Sequence, residues 1–173
     1  MTNSGKTAGK VVIFAILVPL LIVALIMGGW WIFFIVALSQ PPTVGTQTSM
    51  EDLREMMQED WQIELSDRAK VAYYRSNFSW PGDGEVYFVL EYEDAPAGLL
   101  PSFSEGTNEA LRSSIEDGIA RFEDAMGAEV PADMRPSFGD DCIWRMEEDE
   151  KSNGLYMVYD LSQNICYAYI FYI

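Results

Sequence analysis

The sequence predicts an α+β protein: an N-terminal transmembrane helix, then one small domain built on an antiparallel sheet. That domain ends in a C-terminal three-stranded meander and carries one or two covering helices. Three observations lead there. No charged residue falls between Val11 and Leu38, a lipid-length apolar run. Apolar residues recur at helical spacing from Leu111 to Met126. Alternation with period two marks three segments between Cys142 and Ile173.

The apolar run, VVIFAILVPLLIVALIMGGWWIFFIVAL, divides the chain into a cytoplasmic N-terminus (1–10), a membrane helix (11–38), a linker (39–47) and an acidic domain (48–173). At about 1.5 Å per residue it exceeds a hydrocarbon layer roughly 30 Å thick, so tilt or a kink at Pro19 or Gly28-Gly29 takes up the surplus. Lys6 and Lys10 precede the run and no acid appears before Glu51. The positive-inside rule therefore keeps the N-terminus in the cytoplasm and sends the domain across. Lys10, Trp30 and Trp31 are the expected interface anchors. Ala37-Leu38-Ser39 has the small residues a signal peptidase accepts, but the run is about twice the 7–15 residues of a signal core, which favours an uncleaved anchor. Ala24 and Gly28 form one small-xxx-small pair, a weak seat for a helix-mediated dimer.

Beyond Leu38 the chain keeps nine of its 11 basic residues and all 27 acidic ones, a formal charge of −18. Phosphate backbones repel such a domain, which excludes nucleic acid as a partner. The expected partners are the lipid bilayer and an envelope or secreted protein. The chain has no histidine, so His-dependent triads and the commonest transition-metal site lose their first residue. No catalytic, cofactor-binding or metal residue is assigned, no cofactor is expected, and the reading is non-enzymatic.

Ser39 to Gln47, with two prolines and a glycine, reads as an extended spacer. Thr48 and Glu51 have capping-box spacing, and Leu53, Met56, Met57 and Trp61 follow as one helical stripe ending near Asp60. Ile63 and Leu65 alternate, Val71 to Arg75 is rich in strand formers, and Ser76 to Glu85 reads as a loop. Val86, Phe88 and Leu90 mark the next strand. Ser102 and Glu105 suggest a second capping box before the helix of Leu111, Ile115, Ile119, Phe122 and Met126. The meander then alternates through Cys142, Trp144 and Met146, through Leu155, Met157 and Tyr159, and through Ile165, Tyr167, Tyr169, Phe171 and Ile173.

The stretch PGDGEVYFVLEYED, a helix, and the terminal GLYMVYDLSQNICYAYIFYI together resemble a group of small bacterial membrane-anchored or exported proteins. That group has a Gly-Asp-Gly-Glu turn into a strand and a Tyr-rich terminal hairpin. Its members carry histidines beside the turn where Ser79, Trp80 and Pro81 stand here. The resemblance implies a bacterial source and brings no activity with it.

Cys142 and Cys166 are the only cysteines. An even count in an oxidising compartment suggests a disulfide. In a plain meander, however, one strand lies between them, and two strand spacings are about 9.5 Å, beyond the roughly 7 Å a bridge tolerates. A bridge, two buried thiols or a redox pair all fit the sequence. Carboxylates occur in clusters at Asp83 and Glu85, Asp140 and Asp141, and Glu147 to Glu150, with the hard oxygen chemistry of a calcium-binding sensor but no EF-hand-type loop. Tyr73, Tyr74, Phe78, Trp80 and Tyr87 surround the glycine-rich loop, as a ligand groove or as packing. Asn77-Phe78-Ser79 fits a glycosylation sequon.

Overall fold

The computed structural model describes residues 22–32, 43–78, 83–96 and 98–173, and the chain divides into two units, 1–41 and 42–173. In the first unit, 22–32 form a helix, α1, within the predicted membrane run. The remainder of that run, and Lys10, lie outside the described residues. Among the described residues no helix is long and apolar enough to cross a membrane.

The second unit is α+β. Its elements are β1 (Thr43–Gly45), α2 (Met50–Trp61), β2 (Ala69–Phe78), β3 (Gly84–Tyr92), α3 (Glu109–Met126), β4 (Cys142–Glu148), β5 (Gly154–Asp160) and β6 (Ile165–Tyr172). One antiparallel sheet takes the order β1-β2-β3-β6-β5-β4. The three C-terminal strands form a meander, and β6 closes it against β3.

Alternation sorts the strands into two buried faces. Val86, Phe88 and Leu90 of β3, Leu155, Met157 and Tyr159 of β5, and Cys166, Ala168 and Ile170 of β6 share one face with Leu53, Met57 and Trp61 of α2. Tyr87, Val89, Val158, Tyr167 and Tyr169 share the other with Leu111, Ile115 and Ile119 of α3. The sheet is thus a middle layer between two helices. Burying each large apolar side chain in these layers is worth about 2 kcal/mol against leaving it in water.

Several local expectations are corrected. The expected spacer contains β1, which pairs Thr43 with Phe78 and Gly45 with Ser76. Three residues are too few for an alternation signal, and main-chain pairing needs none. Helix α2 is capped one residue later than expected: Ser49 Oγ accepts from Asp52 N at 3.0 Å, and Asp52 Oδ2 accepts from Ser49 N at 3.4 Å. Thr48/Glu51 and Ser49/Asp52 carry the same pattern, and the chain uses the second. Ser102 caps no helix. It ends the 3-10 turn Leu100–Ser102, while Asn108 caps α3 by accepting from Leu111 N. Ile63 and Leu65 form no strand, yet both are buried, tucked beneath α2 as it leaves in the left-handed turn at Gln62. The expected loop from Ser76 to Glu85 is shorter, because β2 runs on to Phe78 and β3 starts at Gly84.

Two hairpin turns are held by carboxylates. Asp149 accepts from Lys151 N, Asn153 N and Asn153 Nδ2 at 2.7–2.9 Å. Gly154 follows because a Cβ there would stand 2.1 Å from the Phe171 ring. Asp160 is 3% exposed and accepts four bonds, from Ser162 N and Oγ and from Gln163 N and Nε2. Burial works to raise the Asp160 pKa. The bonds from Ser162 and Gln163 outweigh it and hold the carboxyl below its ordinary value.

Candidate functional site

The carboxylate predicted at the glycine-rich turn sits at the start of β3. Register places Glu85 opposite Asn77 on β2 and opposite Phe171 on β6. Its Oε1 accepts from the Tyr169 hydroxyl at 2.6 Å and from Arg121 Nε at 3.2 Å, and Arg121 Nη2 donates to the same hydroxyl at 3.0 Å. Three elements therefore meet in one polar triangle: β3 brings Glu85, β6 brings Tyr169 and α3 brings Arg121. A cleft of about 400 Å³ opens over it, lined by Asn77, Asp83, Glu85, Arg121, Phe171 and Tyr172.

The triangle is closed on itself. Burial raises the Tyr169 pKa, and the adjoining Glu85 carboxylate raises it further. The phenol stays neutral at physiological pH and acts as a donor to Glu85, not as a nucleophile. Burial opposes the charge on Arg121, but its bonds to Tyr169 and Glu85 prevail and its pKa is raised.

The other predicted clusters do not join this one. Asp140 and Asp141 belong to the turn into β4, whose first residue Cys142 lies in the row of Asp160, Ile165 and Glu91. Glu85 lies six residues further along β3, about 20 Å away at strand rise. Glu147 pairs with Arg145. Among the described residues no three Asp, Glu or Cys side chains converge in a way that would hold a metal ion.

The aromatics near the turn are engaged in packing. Tyr73 meets Tyr87 edge-on at 6.1 Å, Phe78 meets Tyr172 at 5.7 Å, and Tyr74 packs on the α2-side core. Tyr87 also donates to the Met134 carbonyl at 2.6 Å. Trp80, and Ser79 of the sequon, lie outside the described residues.

Cys142 and Cys166 are free thiols, both buried, so of the arrangements the sequence leaves open the structure holds two buried thiols and not the disulfide. Strand β5 separates them, as the meander requires. In addition they point to opposite faces: Cys142 joins the α3-side core and Cys166 the α2-side core. Burial raises both pKa values, that of Cys166 to about 12. Of the predicted interface anchors, Trp30 and Trp31 lie on α1, 68% and 66% exposed.

Arg121 and Tyr169 complete this polar triangle, and neither is among the site candidates that the sequence singles out. The available signal was Gly118, a glycine inside the apolar stripe of a helix, which costs about 1 kcal/mol unless a neighbour needs the space. That neighbour is the ring of Tyr169.

No family model, curated protein or solved structure matches the chain.

Proposed function

We propose that this is a single-pass membrane protein, kin to small bacterial membrane-anchored proteins, whose acidic domain is translocated and serves as a non-enzymatic binding module for another envelope or secreted component. One observation carries the membrane part. Every large apolar side chain of α1, from Ile22 to Ile32, is at least half exposed, on all sides of the helix. An apolar surface of that kind suits a hydrocarbon surrounding, and a helix satisfies its own backbone there. The positive flank at Lys6 and Lys10 supports translocation of the domain.

The binding part draws support from how the titratable groups are engaged. Glu85 is held by Arg121 and Tyr169, Asp160 and Asp149 hold their turns, and both thiols are buried. None of these is a nucleophile beside a base. A rigid sheet with both faces filled is a scaffold suited to presenting its edges and loops to a partner.

The test is protease added to intact cells that express the full chain, followed by carbonate washing of their membranes. The reading requires cleavage of the domain from outside and retention of 11–38 in the washed membrane. A protected domain, or a chain stripped by carbonate, overturns it.

A further inference from the structure

The two edges of the sheet differ. On one, β1 covers the end of β2, and a bulge between Val71 and Tyr73 beside Lys70 disturbs the remainder. A bulge and a lysine are how proteins blunt an edge. The other edge is β4. The segment before α3 begins to pair with it: Ser104 N donates to the Trp144 carbonyl at 2.7 Å, and Trp144 N donates to the Ser104 carbonyl at 2.9 Å. The pairing stops after that one residue, because the chain next to Ser104 coils into the 3-10 turn Leu100–Ser102 at Pro101. Outward-facing main-chain groups recur every second residue along a strand. Met146 and Glu148 therefore present N–H and C=O groups beyond Ser104, and no described residue pairs with them on that side.

The side chains beside this edge have a matching character. Met146 is 48% exposed, and the half-buried rings of Tyr156 and Phe171, 5.8 Å apart, continue its apolar surface across β5 and β6. Two residues on, the same face carries Glu148, which makes no ion pair among the described residues, and Glu150 follows in the turn. Glu147 is already neutralised by Arg145 on the opposite face. The edge thus reads apolar, then acidic, at period two. A second copy of this chain would bring Glu148 near Glu148, an arrangement that costs energy.

We propose that the outer edge of β4 receives an extended segment of a partner protein, added as a seventh strand, with an apolar residue against Met146 and a lysine or arginine against Glu148. This deepens the binding-module reading and rests on it. Main-chain pairing supplies the attachment, and the alternate side chains supply the choice of partner.

The test uses the full-length chain in non-ionic detergent and the peptide Thr-Val-Thr-Lys-Thr-Val-Thr-Lys. Two twins accompany it: one with glutamate for each lysine, and one N-methylated at alternate residues, which keeps the charge but removes the pairing donors. The expected result is slowed amide exchange confined to residues 145–149 with the lysine peptide and with neither twin. Met146→Pro, tolerated on an edge strand, should weaken that binding about tenfold by deleting an outward N–H. Equal binding by the methylated twin would reduce the effect to bulk charge and overturn the proposal, as would equal binding by the glutamate twin or unchanged exchange at Met146 and Glu148. The protease experiment decides membrane topology separately, so a failure of one is distinguishable from a failure of the other.

Discussion

Gly118 of α3 lies directly against the ring of Tyr169: a Cβ at that position would stand 2.5 Å from Cζ and 2.6 Å from Cε1. The ring has no room to retreat, since Tyr156 and Phe171 pack beside it at 6.3 and 6.4 Å. The close approach lets the Tyr169 hydroxyl reach Glu85 and Arg121 together. Gly118→Ala should therefore reverse the usual sign of a glycine-to-alanine change in a helix. Alanine ordinarily gains about 1 kcal/mol. Here the overpacking should leave a net loss of about 2 kcal/mol. Thermal melting of the full-length chain in detergent reads it directly, and an unchanged or raised Tm would contradict the packing described.

Tyr169→Phe keeps the ring and removes the hydroxyl that joins α3 to the sheet. It should cost about 1–2 kcal/mol, since the phenol makes one charge-assisted bond and accepts another. A double-mutant cycle with Glu85→Gln should show coupling of about 1 kcal/mol. Strict additivity would mean that the two groups act independently.

Asp160 makes stability sensitive to acid. Its folded pKa lies below its ordinary value, so the contribution is present above the unfolded pKa and is lost as pH falls through the folded one. Asp160→Ala should remove about 2 kcal/mol at neutral pH by leaving the turn amides of Ser162 and Gln163 without their shared acceptor. It should also flatten the acid limb of a stability–pH curve. A variant that loses stability equally at every pH would show that the carboxylate acts only through its shape.

The layered α+β design was legible because its signals are periodic. Alternation in β3, β5 and β6 and the stripe of α3 each repeat three or more times, and burial follows them. Features carried by single residues were not legible. Thr48 and Ser49 are both hydroxyl residues with an acid three positions on, so propensity cannot choose between them; register with the buried Leu53 and Met57 does. Ser102 and Glu105 share that spacing, but Pro101 turns the chain and Asn108 takes the cap. Glu85 could be picked out beside its turn. Its partners lie 36 and 84 residues away, and only the strand order brings them in.

The cap assignment is directly testable. Ser49→Ala should destabilise the domain by about 1 kcal/mol, as should Asn108→Ala, because each leaves a first-turn amide without its acceptor. Thr48→Ala should change little, since its hydroxyl bonds only the neighbouring Ser49 carbonyl, at 3.4 Å. Equal losses at Thr48 and Ser49 would mean that the two caps exchange in solution.

The thiols offer a chemical check on the strand register. Cys142 falls in phase with Trp144, whereas Cys166 falls out of phase with Ile165 and Tyr167, and the register through Tyr159 places them on opposite faces. No rotamer of either side chain crosses a sheet, so oxidation should not join them while the domain is folded. Native full-length protein should react slowly with a maleimide, because both sulfurs are buried and both pKa values are raised, which keeps the nucleophilic thiolate scarce. In denaturant both should label, giving two adducts by intact mass, with or without prior reduction. A chain that gains its adducts only after reduction would contain the bridge, and would require a different strand order, because β5 holds the two strands about 9.5 Å apart in any register.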